Sequence, residues 1–358
     1  MSRIAYVYPK ALFSAWSLAE GAVRTLKRMG HEVLDIPAPP APESDQVPTA
    51  LVERLRKRMP ALDELKGCDA IIVSGPEHIA CWLDAVWGID QWKFELTMPK
   101  AALYHETAQR ADGGIFEFDR AFWVADNHFF PAVQDAEFYD QEQFVQGRSH
   151  WLPFGADTDV FKPLENYENF MTNSEWRNGK LIDVSKKYDL AFIGSVYGYR
   201  AKYLGALGQF EHPDLRIGNV QVQDIAGMKG LETANLYAEN LRQIKVFFNL
   251  PTLSRLLVTK VYEVMACGTF LMTPSLETAG GAAKNTQIFK SGEHLVYYSP
   301  RNIAQTAQLL KTWTSDEMAA ERERIAASGC AEVHAKYRLD QALQQVLDKS
   351  GVRETVNA

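Results

Sequence analysis

Short apolar runs alternate with segments of helical period along the first half of the chain. Arg3 to Tyr8 reads as a strand, Ser17 to Met29 carries apolar residues at helical spacing, Gly30 ends that helix, and His31 to Ile36 returns to strand. This is a βαβ unit. Pro37 to Pro48 forms a proline-rich surface excursion, and Leu51 to Leu65 predicts one amphipathic helix with basic residues on its outer face. Ala70 to Val73, Lys100 to Tyr104 and Ala121 to Ala125 predict three more strands, the first stopped by Ser74-Gly75-Pro76. Continuous apolar strands separated by helices predict a parallel sheet covered on both faces.

The segment Leu164 to Lys187 is polar and broken by Asn166, Asn169, Asn173, Asn178 and Gly179, which marks a junction. After it the alternation restarts: strand at Asp189 to Ile193, helix at Arg200 to Leu207, strand at Val246 to Leu250, helix at Leu256 to Ala266, strand at Thr269 to Met272. From Arg301 the pattern is helical almost to the end. The expected layout is an α/β chain with two doubly wound Rossmann-like domains, residues 1–163 and 188–332, joined by 164–187 and followed by a C-terminal helix and tail, 333–358, that packs back on the first domain. Ligands of such sheets bind at the carboxyl ends of the strands, in the crevice between domains, so the residues just after strands carry the candidate chemistry.

A length of 358 residues suits two domains of ordinary size. No run of eighteen apolar residues occurs, and Met1 to Tyr8 enters a strand with no basic region and cleavage site ahead of it, which predicts neither a membrane span nor export. The four cysteines, Cys68, Cys81, Cys267 and Cys330, are far apart and read as reduced thiols of a cytoplasmic protein. A net charge of -7 removes any global attraction to nucleic acid, leaving one local basic face at Arg54, Arg56, Lys57 and Arg58, which also reads as a solvated helix face. No His or acid spacing indicates a metal site.

The most informative stretch runs from Thr259 to Met272. It places Lys260 and Glu263 three apart near a helix N-terminus, where backbone N–H groups and the helix dipole favour a phosphate. Lys260 could meet a diphosphate while Glu263 accepts from ribose hydroxyls. A surface Lys–Glu pair on a core helix explains the same spacing. Gly194, Ser195 and Arg200 follow a strand and could clamp the same diphosphate, or form an ordinary strand-to-helix turn.

These residues resemble the donor-site signature of group 1 glycosyltransferases, and Arg242 to Tyr298 resembles the subgroup described as spore maturation protein CgeB-like. The matching features are Val246 to Pro251, Lys260 to Met272, Gly292 to Tyr298, the segment Leu152 to Pro163, and Ile193-Gly194-Ser195 with Arg200; His334, Tyr337 and Arg338 echo a C-terminal pattern. The resemblance implies the GT-B fold, two Rossmann-like domains facing across a cleft. It also implies a nucleotide diphosphate sugar as donor substrate, no tightly bound cofactor, no metal, and retention of configuration. Arg255 stands eight positions before Glu263, where the group has a second carboxylate that contacts the transferred sugar.

On the acceptor side, His105 and Glu106 follow the fourth predicted strand, where a group that positions or deprotonates a hydroxyl belongs. A phage α-glucosyltransferase acting on hydroxymethylated DNA carries a comparable pair. Ser74 to His78 and Asp126 to His128 are rivals, and a helix cap or a satisfied loop histidine explains any of the three. Aromatic residues crowd this half, among them Trp82, Trp87, Trp92, Phe94, Phe122, Trp123, Phe129 and Phe130, and most are expected in the core. The expectation is a glycosyltransferase passing a sugar to a hydroxyl acceptor: a small molecule, a glycan, a protein or a modified DNA base. A sugar-nucleotide epimerase or hydrolase and an inactive nucleotide-binding module are the alternatives.

Overall fold

The computed structural model describes residues 1–9, 18–39, 49–105, 118–141, 145–163, 174–177, 180–183, 186, 188–194, 198–208, 218–219, 230–250, 256–276 and 288–352. The chain divides into two compact units. The first holds Met1–Pro153 with Ser254–Leu256 and Leu339–Ala358; the second holds Phe154–Leu253 and Leu257–Arg338.

The first unit runs β1 (Arg3–Pro9), α1 (Leu18–Arg28), β2 (Glu32–Ala38), α2 (Thr49–Arg56), α3 (Leu62–Lys66), β3 (Ala70–Ser74), α4 (Pro76–Trp87), β4 (Lys100–Leu103), β5 (Asn127–Phe130), α5 (Val133–Asp140) and β6 (Ser149–Trp151). Its six strands are all parallel, in the order β2-β1-β3-β4-β5-β6, so the order reverses between β1 and β3. One face buries Val7, Ile71, Val73, Leu83 and Trp92. The other buries Ile4, Tyr6, Leu26 and Ile72 against Leu339, Leu343, Val346 and Leu347 of the C-terminal helix Leu339–Lys349. The chain's last helix therefore completes the core of its first unit.

Two expectations are corrected here. The apolar run Ala121 to Ala125 is not a strand: Ala121 to Val124 belong to a 3-10 helix, Phe118–Val124, Ala125 follows it, and the strand begins at Asn127. A five-residue apolar run does not distinguish strand from buried turn, and Asp126 fixes the start by accepting the Lys100 backbone N–H at 3.1 Å. The single helix expected over Leu51 to Leu65 is two, α2 and α3, with Pro60 between them where a continuous helix would lose a hydrogen bond. Of its basic face, Arg56 is committed inward, donating to the Ala85 and Val86 carbonyls at 2.9 and 3.2 Å.

The second unit contributes β7 (Ser174–Arg177), β8 (Lys180–Asp183), β9 (Tyr188–Phe192), α6 (Gly198–Leu207), β10 (Gly218–Asn219), α7 (Gly230–Arg242), β11 (Ile244–Phe248), α8 (Thr259–Ala266), β12 (Phe270–Pro274), β13 (Val296–Tyr298), α9 (Ile303–Thr314) and α10 (Ala319–Lys336). β7 and β8 pair antiparallel within the stretch expected to be a plain junction. The other five strands are parallel in the order β10-β9-β11-β12-β13, reversing between β9 and β11. Leu190, Phe192, Val246, Phe248, Phe270 and Met272 form the core with α6, α9 and α10.

Helix α10 reaches α8 by way of Gly329. A Cβ at Gly329 would stand 2.3 Å from the His294 carbonyl oxygen and 2.9 Å from Met265 Cε, and the carbonyl is backbone that cannot swing aside. Gly329→Ala should therefore destabilise the chain by about 1–3 kcal/mol, the usual cost of overpacking. Urea denaturation measures this, and an unchanged midpoint would contradict the close packing.

Candidate donor site at the strand switch of the second unit

The reversal of strand order between β9 and β11 leaves their carboxyl ends as the place where a doubly wound sheet takes a ligand. Four segments deliver side chains there. Ile193 and Gly194 follow β9, Asn249 and Leu250 follow β11, Arg200 stands in the first turn of α6, Lys260 in the first turn of α8 and Glu263 one turn on.

Arg200 Nε donates to the Leu250 carbonyl at 2.8 Å, and Lys260 Nζ donates to the Ile193 carbonyl. Gly194 lies between the two cations: a Cβ there would stand 3.1 Å from Lys260 Nζ, 3.1 Å from the Phe192 ring and 3.5 Å from Arg200 Nη1. Glycine at 194 is thus a condition for the approach of both charges. Tyr298 Oη donates to the Asn249 carbonyl at 2.8 Å and Asn249 Nδ2 to Thr273 Oγ1 at 2.9 Å, which hold the end of β11 where the Arg200 contact is made. At the far end of α8, the His334 ring nitrogen lies 3.0 Å from the Ala266 carbonyl, and Tyr337 packs edgewise on Tyr262.

Burial pulls the Lys260 ammonium down to about 8, with the Arg200 charge adding to the fall and Glu263 opposing it. Burial pushes the Glu263 carboxyl up to about 8 against the pull of Lys260. At neutral pH the cluster therefore holds two cations and a protonated acid. Helix α8 adds to the positive field, since its N-cap residue Val258 makes no side-chain cap and its first turn holds no acidic residue. Anions are what such an arrangement attracts. Gly194, Arg200 and Lys260 are brought together with Glu263 beside them; Ser195 and Arg255 lie outside the described residues. Sequence reasoning missed Phe192, whose ring lies under both cations, and an aromatic at the last position of a buried strand gives no signal apart from core.

In the first unit, residues expected as rivals form one cluster. β3 ends at Ser74, Gly75 turns with φ 64° while its N–H donates to the Leu103 carbonyl at 2.7 Å, and α4 begins. Ser74 Oγ lies 2.7 Å from His105 Nε2, and Glu77 Oε1 accepts the His105 backbone N–H at 2.8 Å. Burial, and then the charge of His78, pull His105 down to about 3, so its ring is neutral at physiological pH. Glu106 lies outside the described residues. Asp126 and His128 are corrected as loop residues after a strand. Asp126 sits 3.7 Å from Lys100 Nζ at the opposite end of β4 from His105, and His128 is a buried strand residue whose Nδ1 is 3.2 Å from Tyr104 Oη. The aromatic expectation holds for Trp82, Trp92, Phe129 and Phe130, which are buried, whereas Phe94 is exposed.

Among the described residues no helix is long and apolar enough to cross a membrane, and no group of three His, Cys, Asp or Glu is placed to hold a metal.

With this geometry in view, one family and several solved structures are similar to the chain. Residues 185–348 match the family described as Glycosyl transferase-like. No curated protein sequence matches the chain. The structure of Anabaena HepE in complex with UDP and glucose is similar over 99% of this chain and 100% of its own, at 11% identity and a TM-score of 0.62. A glycosyltransferase from Rickettsia africae covers 100% of this chain and 99% of its own, at 12% identity and 0.59. An alpha-glucosyltransferase in complex with UDP and a 13-mer DNA covers 98% and 100%, at 12% identity and 0.57. The fold is that of the GT-B glycosyltransferases, with two Rossmann-like domains.

A carboxyl whose folded pKa lies near 8 against an ordinary 4.5 binds its proton more tightly folded than unfolded, so its contribution to stability falls as pH rises through that window. Glu263→Gln should accordingly gain stability relative to the native chain between about pH 5 and pH 8. Urea denaturation at both values checks this, and a constant difference would contradict a buried, protonated acid.

Proposed function

We propose that this chain is a glycosyltransferase that takes a sugar from a UDP-linked donor and passes it to a hydroxyl acceptor. The observation that carries the reading is the convergence of Gly194, Arg200 and Lys260, with Glu263 alongside, at the strand switch of the second unit. The family match over that unit and the UDP-bound relatives of the same fold support it.

In the proposed reaction the bond between the sugar's anomeric carbon and the β-phosphate oxygen breaks, and negative charge grows on the leaving diphosphate. In this reading Arg200, Lys260 and the N-terminus of α8 meet that charge as it appears and stabilise the transition state more than the ground state. Glu263, protonated, both accepts and donates hydrogen bonds, which suits the adjacent hydroxyls of a ribose. The reading assigns leaving-group stabilisation to these groups rather than to a divalent ion. On the acceptor side it assigns His105, with Ser74 and Glu77, to orienting a hydroxyl by hydrogen bonding. A ring that titrates near 3 is a weak base, so orientation is the larger part of its role. The resemblance of Arg242 to Tyr298 supports the CgeB-like subgroup and retention of configuration, and the four widely spaced cysteines support a cytoplasmic setting.

Incubation with a panel of nucleotide sugars, following nucleoside diphosphate release with and without glycans, small alcohols and hydroxymethylated DNA, tests the proposal. Release from a UDP-sugar that requires an acceptor is expected. Breakdown without acceptor would indicate a hydrolase or epimerase, and tight UDP binding without turnover an inactive module. Loss of a charge-assisted hydrogen bond should cost Arg200→Ala and Lys260→Ala roughly ten- to a hundredfold in UDP affinity by calorimetry, with the fold intact by circular dichroism. Because Lys260 discharges and Glu263 ionises near 8, UDP affinity should fall as pH rises above that value. Affinity flat to pH 10 would remove both groups from the site.

A further inference from the structure

The apolar core of the second unit and its cationic cluster meet at Phe192. This last residue of β9 is 2% exposed and packs with Leu190, Tyr203, Val246 and Phe248. Its ring centroid lies 5.5 Å from Arg200 Cζ and 5.7 Å from Lys260 Nζ, both inside the ~6 Å reach of a cation–π contact. The ring also closes on Gly194, its Cζ standing 3.1 Å from where a Cβ would lie.

Two like charges gathered in a half-buried place need compensation. Lys260 has the Ile193 carbonyl, and among the described residues no carboxylate comes within ion-pair distance of it. Arg200, meanwhile, acts to discharge it. The negative face of the Phe192 ring is directed at both cations. The core alone would accept an aliphatic side chain of similar volume at this position, but an aliphatic chain has no such face.

We propose that Phe192 is a positioning residue whose ring face holds Arg200 and Lys260 side by side in their charged forms, so that they meet two linked phosphates together. The consequence for phosphate binding rests on the donor reading above; the ring's hold on the two charges stands on the geometry alone.

Replacing Phe192 in the full chain with mono-, di- and trifluorinated phenylalanine drains the ring's negative face with little change of shape. Two quantities are then read: the pH midpoint of Lys260, from NMR of labelled lysine side chains, and UDP affinity at neutral pH by calorimetry. The midpoint should step down with each fluorine, and UDP affinity should fall in parallel, by about tenfold across the series. A merely space-filling ring would move neither. An unchanged midpoint overturns the proposal, and a moving midpoint with constant UDP affinity overturns the joint presentation to phosphates. If the native chain binds no UDP, the donor reading fails while the Lys260 titration still decides the role of the ring.

Discussion

Repulsion between Arg200 and Lys260 is the constraint around which the second unit is arranged. Bringing two cations to one place at the edge of an apolar core costs free energy in desolvation and in Coulomb repulsion, and the fall of Lys260 to about 8 records both. Among the groups directed at the two cations are the Ile193 and Leu250 carbonyls and the face of Phe192, none of which carries a full negative charge. A carboxylate salt bridge to Lys260 would have been stronger and would have left that ammonium nothing to offer an anion. Glu263, pushed toward its neutral form by the same burial, keeps the local balance positive.

Chain topology makes this arrangement possible. Parallel strands whose order reverses between β9 and β11 send α6 and α8 away from a shared edge, so Arg200 and Lys260 arrive at neighbouring strand ends from different helices. Gly194 removes the one Cβ that would stand between them. The first unit repeats the scheme with different chemistry. Its reversal lies between β1 and β3, where a Cβ on Gly75 would stand 3.2 Å from Pro9 and 3.3 Å from His105, and there a neutral histidine, a serine and an acid take the place of the cations.

Much of this was legible in the residues because the strands are buried on both faces and therefore read as continuous apolar runs. Lys260 and Glu263 stood out since charge three apart at a helix start is a local pattern, and Gly194 with Arg200 since a glycine after a strand followed by a helix is another. What escaped was set by pairing between distant segments. The run at 121–125 has a strand's composition, and the contact of Asp126 with Lys100 is what moves the strand to 127. The pairing of β7 with β8 escaped because strands of four residues are too short to show an apolar period within a stretch broken by asparagines. Ser74, Glu77 and His105 stood as alternatives because nothing in sequence says that the ends of β3 and β4 adjoin. Phe192 gave no sign at all, because a ring's second face is visible only when its neighbours are placed.

A crystal structure of the chain with UDP tests the central claim most directly. The account predicts the two phosphates against the Arg200 guanidinium, the Lys260 ammonium and the first N–H groups of α8, with the ribose hydroxyls at Glu263. Density for UDP away from the edge shared by β9 and β11, or phosphates held by other cations, would contradict it.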